Sequence, residues 1–133
     1  ITEMNSGCIC CSLVGDFSAA LKKVLSDLGS RAWCVCGEEL PPRLEFLADG
    51  EQESVLPEQI PEDFAAERII AVDTASPFQL GRLNELYGDR VDLMIDHHGS
   101  GTVYADNYID TNAAATGEII FDISRDFLKI KNV

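Results

Sequence analysis

Four groups of side chains in this sequence can bind metals or move protons. Both histidines, His97 and His98, follow directly on Asp96 in "MIDHHGSG" (94–101), and Asp73 closes the apolar run "IIAVD" (69–73). Cys8, Cys10 and Cys11 crowd into "SGCICCS" (6–12), while Cys34 and Cys36 alternate in "RAWCVCG" (31–37). Carboxylate with imidazole suits Mn²⁺ or Mg²⁺, and imidazole also takes Zn²⁺ and Fe²⁺; thiolates select Zn²⁺ or Cu⁺. Two chemistries are therefore on offer. One is a divalent-metal site around Asp73, Asp96 and His97. The other is a zinc site through Cys8, Cys10 and Cys11, with Cys36 or Asp73 as a further ligand. Each has a plain counterpart: paired histidines also serve as surface or capping residues, and free cysteine is commonly core. Burial is favoured for Cys34, and Cys36 stays open.

These residues need elements to hold them. Residues 1–4 read as the end of a short strand, with the cysteines following it. From Asp16 the apolar positions Phe17, Ala20, Leu21, Val24, Leu25 and Leu28 recur at helical spacing, with Gly29 as the C-terminal stop. "RAWCVCG" reads as a strand closed by glycine. Residues 37–66 hold four of the five prolines and read as a long connection with one helical turn near "PRLEFL". "RIIAVDTA" (68–75) reads as a buried strand and "PFQLGRLNELYG" (77–88) as a short helix or two turns. "RVDLMIDHH" (90–98) and "NYIDT" (107–111) read as strands. A helix follows from Asn112, with Ala113, Ile119, Ile120, Ile123 and Phe127 on its buried side. Strands alternating with helices predict an α/β, three-layer Rossmann-like fold with a mostly parallel sheet, a single domain over 1–133. In such sheets ligands collect at the carboxyl ends of the strands. Asp73 and Asp96 to His98 are expected at such ends, and so are the cysteines.

The chain has 133 residues and a net charge of −13. That excess of acid speaks against strong binding of duplex DNA, which wants basic surface. It is compatible with carboxylates that gather divalent ions for a phosphate substrate, and equally with an acidic, solubilising surface. Five clustered cysteines do not read as a disulfide framework. No apolar run reaches about 20 residues, the length that spans a bilayer. A cytoplasmic protein without membrane contact is the expectation; oligomeric state is not legible.

"IIAVDTASPFQLGRL" followed by "DLMIDHHGSGTVYADNYIDTNAAATGEIIFDI" resembles the DHH phosphoesterases, in particular the branch of oligoribonucleases and 3′-phosphoadenosine 5′-phosphate phosphatases. The resemblance covers about residues 28–133. It implies two divalent ions, typically Mn²⁺, that activate water against phosphorus. It implies Asp73 as a metal ligand placed to bridge both ions and His97 as another. Asp96, His97 and His98 would be the catalytic set, with Asp96 also at the metal and His98 on the substrate phosphate. Glu118 of "TGE" would support them. The implied substrates are short oligoribonucleotides or 3′-phosphonucleotides. The family's first motif, a D-x-D pair after the first strand, has no match before residue 49, and its later D-T-G motif and C-terminal substrate domain do not occur in these residues. The resemblance therefore implies impaired or absent turnover for this stretch of chain by itself.

"EMNSGCICCSLVGDFSAALKKVL" resembles another family, the CobW-type GTPases that handle zinc or cobalt, through its G-C-x-C-C motif. That likeness covers about residues 2–25. The phosphate-binding G-x-x-x-x-G-K-[ST] loop is absent, which excludes GTP hydrolysis by this piece. Taken together, residues 1–27 read as a CobW-like strand–loop–helix joined to a DHH-like part over 28–133. The alternative function is then a non-catalytic zinc-binding module.

Overall fold

The computed structural model describes residues 6–12, 23–39, 41–43 and 55–131, with the backbone alone for 6–12 and 127–131. Among the described residues five strands form one sheet: β1 (Ser6–Ser12), β2 (Arg31–Val35), β3 (Ala65–Val72), β4 (Leu93–Asp96) and β5 (Asp106–Ile109). Their spatial order is β2-β1-β3-β4-β5 and every pairing is parallel. The chain leaves β1 to one side for β2, then returns past it to β3. The order of connection thus reverses between β1 and β3, and such a switch point opens a crevice at the carboxyl ends.

Strand alternation assigns the core to two faces. Ile69, Ala71 and Met94 point to one face, where Val35, Leu80 and Leu83 join them. Ile70, Val72, Leu93 and Ile95 point to the other, against Ala113, Ile119, Ile120 and Ile123. Among the described residues, three α-helical pieces cover the sheet: α1, whose described part is 23–27, α2 (Arg82–Tyr87) and α3 (Thr116–Lys131). Leu83 of α2 packs on the first face; Leu25 of α1 and the isoleucines of α3 pack on the second. The expected three-layer α/β fold with a parallel sheet is what forms, and this sheet is parallel throughout.

Several element bounds differ from the reading of the sequence. The cysteines lie inside β1, not after it: Cys8 pairs with Ala32 and Arg68, Cys10 with Cys34 and Ile70, Cys11 with Val35 and Ala71. Parallel strands in the middle of a sheet are near-continuous apolar runs, and cysteine and isoleucine supply one here. Cys34 and Cys36 are both buried and in no disulfide, and burial is what was expected for Cys34. The first helix ends at Gly29 with φ +88; Ser30 N–H bonds to the Leu25 carbonyl and Gly29 N–H to that of Ser26. This left-handed stop is the role foreseen for Gly29. The start of that helix, most of the "PRLEFL" turn and the Phe127 side chain lie outside the described residues. The last helix begins at Thr116, four residues later than expected. Asp110 accepts the N–H groups of Asn112 through its side chain and of Ala113 through its carbonyl, so these residues form a turn.

Within the long connection, Val55 bridges to Val35, and Arg82 of α2 bonds both the Gly37 carbonyl and the Glu58 carboxylate. Among the described residues no helix is long and apolar enough to cross a membrane.

Candidate metal centre

The sheet's carboxyl edge brings Asp73, Asp96, His97 and His98 together, with one ligand atom of each within 4.8 Å of all the others. Asp73 is the first residue past β3 and Asp96 the last of β4. Pairing of Val72 with Ile95 makes these two carboxylates neighbours. Asp73 has φ +58, a left-handed conformation that costs an L-residue about 1 kcal/mol and that aspartate tolerates better than most. Its N–H is fixed on the Ile95 carbonyl at 2.9 Å. The Thr116 hydroxyl, fully buried at the start of α3, donates to its Oδ1 at 2.8 Å.

Asp96 is only 1% exposed, and its Oδ1 accepts the N–H of His97 and pairs with His98 Nδ1, both at 2.7 Å. No bond to its Oδ2 is formed among the described residues. A buried carboxylate with a free oxygen is costly unless a cation or donor meets it. His97 directs Nδ1 at the Ala113 carbonyl, 3.3 Å away. A carbonyl only accepts, so Nδ1 carries the proton and Nε2 the lone pair, the tautomer that binds metals. That Nε2 lies 3.8 Å from Asp73 Oδ1, too far for a hydrogen bond. Ligand bonds of about 2.0–2.2 Å put two ligands of one ion roughly 3–4 Å apart, so the spacing fits a shared divalent ion. The donor set of carboxylate and imidazole is right for one, without selecting which metal.

Four positions that support the site were not foreseen as parts of it. Thr116, within the recognised "AAATGE", orients Asp73, and Ala113 orients His97. Glu118, expected in support, accepts the Ala114 N–H at 2.8 Å and so shapes the turn carrying Ala113. Across the crevice Tyr104 bonds to Thr74, the neighbour of Asp73. Thr116 and Ala113 lie in "AAATGE" and Thr74 in "VDTA", both part of the motif resemblance, which was the available signal for them; nothing local marks Tyr104.

The cysteines stand apart by register. Cys8 pairs with Arg68, five residues before Asp73, which is about 16 Å along a strand at the usual rise. Cys11 pairs with Ala71, two residues before it. The three residues are thus spread along the backbone of β1 instead of forming a loop at its end.

No family model and no curated protein matches the chain. Among solved structures it is similar to an exopolyphosphatase-related protein from Bacteroides fragilis, with a TM-score of 0.73 at 14% identity. The match covers 92% of this chain and 39% of that one, so the chain spans well under half the length of this neighbour and shares its fold over that part.

Proposed function

We propose that this chain carries part of the metal site of a phosphoester hydrolase of the DHH type. The cluster of Asp73, Asp96, His97 and His98 at the switch-point edge is the observation that carries the reading. The fold shared with an exopolyphosphatase-related protein supports it, as does the motif resemblance. Asp73 and the His97 Nε2 would hold a divalent ion, Mn²⁺ by resemblance. When bound, such an ion polarises a phosphoryl oxygen and lowers the pKa of water. Asp96 orients both histidines: it accepts the backbone N–H of His97 and fixes His98 through Nδ1. In its doubly protonated form His98 would donate Nε2–H to a phosphate oxygen of the substrate, and its partly exposed side chain is open to one. Short oligoribonucleotides or 3′-phosphonucleotides are the proposed substrate class.

Calorimetric titration with Mn²⁺ tests the site. Asp73→Ala and His97→Ala are expected to weaken binding by more than about tenfold, the scale on which metal sites respond to lost support. Asp126→Ala, on the exposed side of α3, should leave it unchanged. Equal affinity in all three variants would refute the assignment. Hydrolysis of a dinucleotide and of a 3′-phosphonucleotide tests the chemistry. Two carboxylates in the cluster are few for a two-ion site, so weak, Mn²⁺-dependent turnover that vanishes in His97→Ala is the expected result. Turnover indifferent to Mn²⁺ and to His97→Ala would overturn the reading.

A further inference from the structure

We infer that Tyr104 is a positioning residue for the metal site, acting on Asp73 through Thr74; this rests on the reading of the Asp73–His97 cluster as a metal site. The Tyr104 oxygen lies 2.7 Å from the Thr74 hydroxyl and 3.1 Å from the Thr74 carbonyl. A phenol has one proton. The carbonyl can only accept, so Tyr104 donates to it and accepts from the Thr74 hydroxyl. The hydroxyl and the carbonyl of a fully buried residue are thereby satisfied by one side chain thirty positions later in the chain.

The consequence falls on Asp73. Its left-handed backbone is inherently unfavourable and persists only if its neighbours over-determine it. On one side the Ile95 carbonyl holds its N–H. On the other, residues 74–75 are gripped by the segment that follows the histidines. Tyr104 takes the hydroxyl and the carbonyl of Thr74, and Thr102 N–H donates to the Ala75 carbonyl at 2.8 Å. Gly101 lies so close that a Cβ there would stand 2.3 Å from that carbonyl oxygen. The segment carrying His98 is therefore tied directly to the turn carrying Asp73. That tie sets the separation of the two halves of the cluster, and Tyr104 is its side-chain member.

Cobalt(II) is the probe, because its visible absorption reports ligand geometry as well as occupancy. Tyr104→Phe should weaken Co²⁺ binding by about tenfold or more and shift the visible bands, as losses of outer partners do in metal sites. Tyr108→Phe, at an exposed position on β5, should match the unaltered chain in both. If Tyr104→Phe does not fold, Thr74→Val serves. It keeps the Tyr104-to-carbonyl bond and loses only the hydroxyl, so a smaller band shift is expected, with Thr74→Ser restoring the original spectrum. Bands and affinity unchanged in Tyr104→Phe, or in Thr74→Val where that is the variant used, overturn the positioning role. No Co²⁺ binding by the unaltered chain overturns the metal-site reading and the inference with it. A loss of thermal stability in Tyr104→Phe with an unchanged spectrum would mean a purely structural contact and also refutes the proposal.

Discussion

Thr116 donates its hydroxyl to Asp73 Oδ1 across 2.8 Å, joining the first residue of α3 to the first residue past β3. The two are forty-three positions apart in the chain. The bond leaves Oδ2 of Asp73 without a partner among the described residues and orients it. Replacing Thr116 by Val keeps the shape and removes the donor. Mn²⁺ affinity is expected to fall about tenfold, with a stability loss of about 1 kcal/mol for the missing bond. Thr116→Ser should restore both. Titration calorimetry and denaturant unfolding on the three chains check this.

Two glycines of the same loop should respond in opposite ways. A Cβ on Gly101 meets the Ala75 carbonyl oxygen at 2.3 Å, an impossible contact with backbone. Gly101→Ala must push the loop off the Asp73 turn and is expected to cost about 1–3 kcal/mol. A Cβ on Gly99 meets only the Thr111 methyl at 3.7 Å. Gly99→Ala should be tolerated. Urea unfolding midpoints of the two variants decide the matter; equal losses would contradict the close approach seen at Gly101.

The Glu58–Arg82 pair predicts a pH dependence. The hydrogen bond from Arg82 is the main reason the Glu58 carboxyl is held below its usual range. A carboxyl depressed in the folded state adds stability above the unfolded pKa, about 4.3 for glutamate. That contribution is lost as the pH falls through the lowered folded value. Both partners are open to solvent, so the effect is small and screened by salt. The melting temperature of Glu58→Gln should therefore lie slightly below that of the unaltered chain near neutral pH and converge with it in strong acid. A gap that widens in acid would show the sign to be wrong.

Register also predicts which thiol is irrelevant to the metal site. Cys8 pairs with Arg68, about 16 Å of strand behind Asp73, beyond the reach of two side chains and one ion. Cys8→Ser should leave Co²⁺ affinity and absorption at the Asp73 cluster unchanged. A thiolate-to-cobalt charge-transfer band that disappears in Cys8→Ser would show a site of thiolates instead.

What the sequence determined by itself was local or periodic. The alternation of apolar runs with amphipathic stretches announced a parallel α/β sheet, because strands buried on both faces and helices buried on one leave different patterns. Gly29 announced the end of the first helix, since few other residues accept its backbone angle. Asp73 and Asp96 to His98 were legible as candidate metal ligands, because carboxylate and imidazole at neighbouring strand ends can share a divalent ion. The cysteines were legible as either of two things, because thiols can serve as ligands or as core, and only pairing within the sheet puts Cys8, Cys10 and Cys11 inside β1 and not after it. Tertiary structure alone decided the partners. Thr116 reaches Asp73, Ala113 reaches His97, and Tyr104 reaches Thr74 across gaps of sixteen to forty-three positions. No periodicity encodes such pairs. They exist because the β1–β3 switch and the packing of α3 against Val72 and Ile95 carry the ends of separate strands and a helix to one edge.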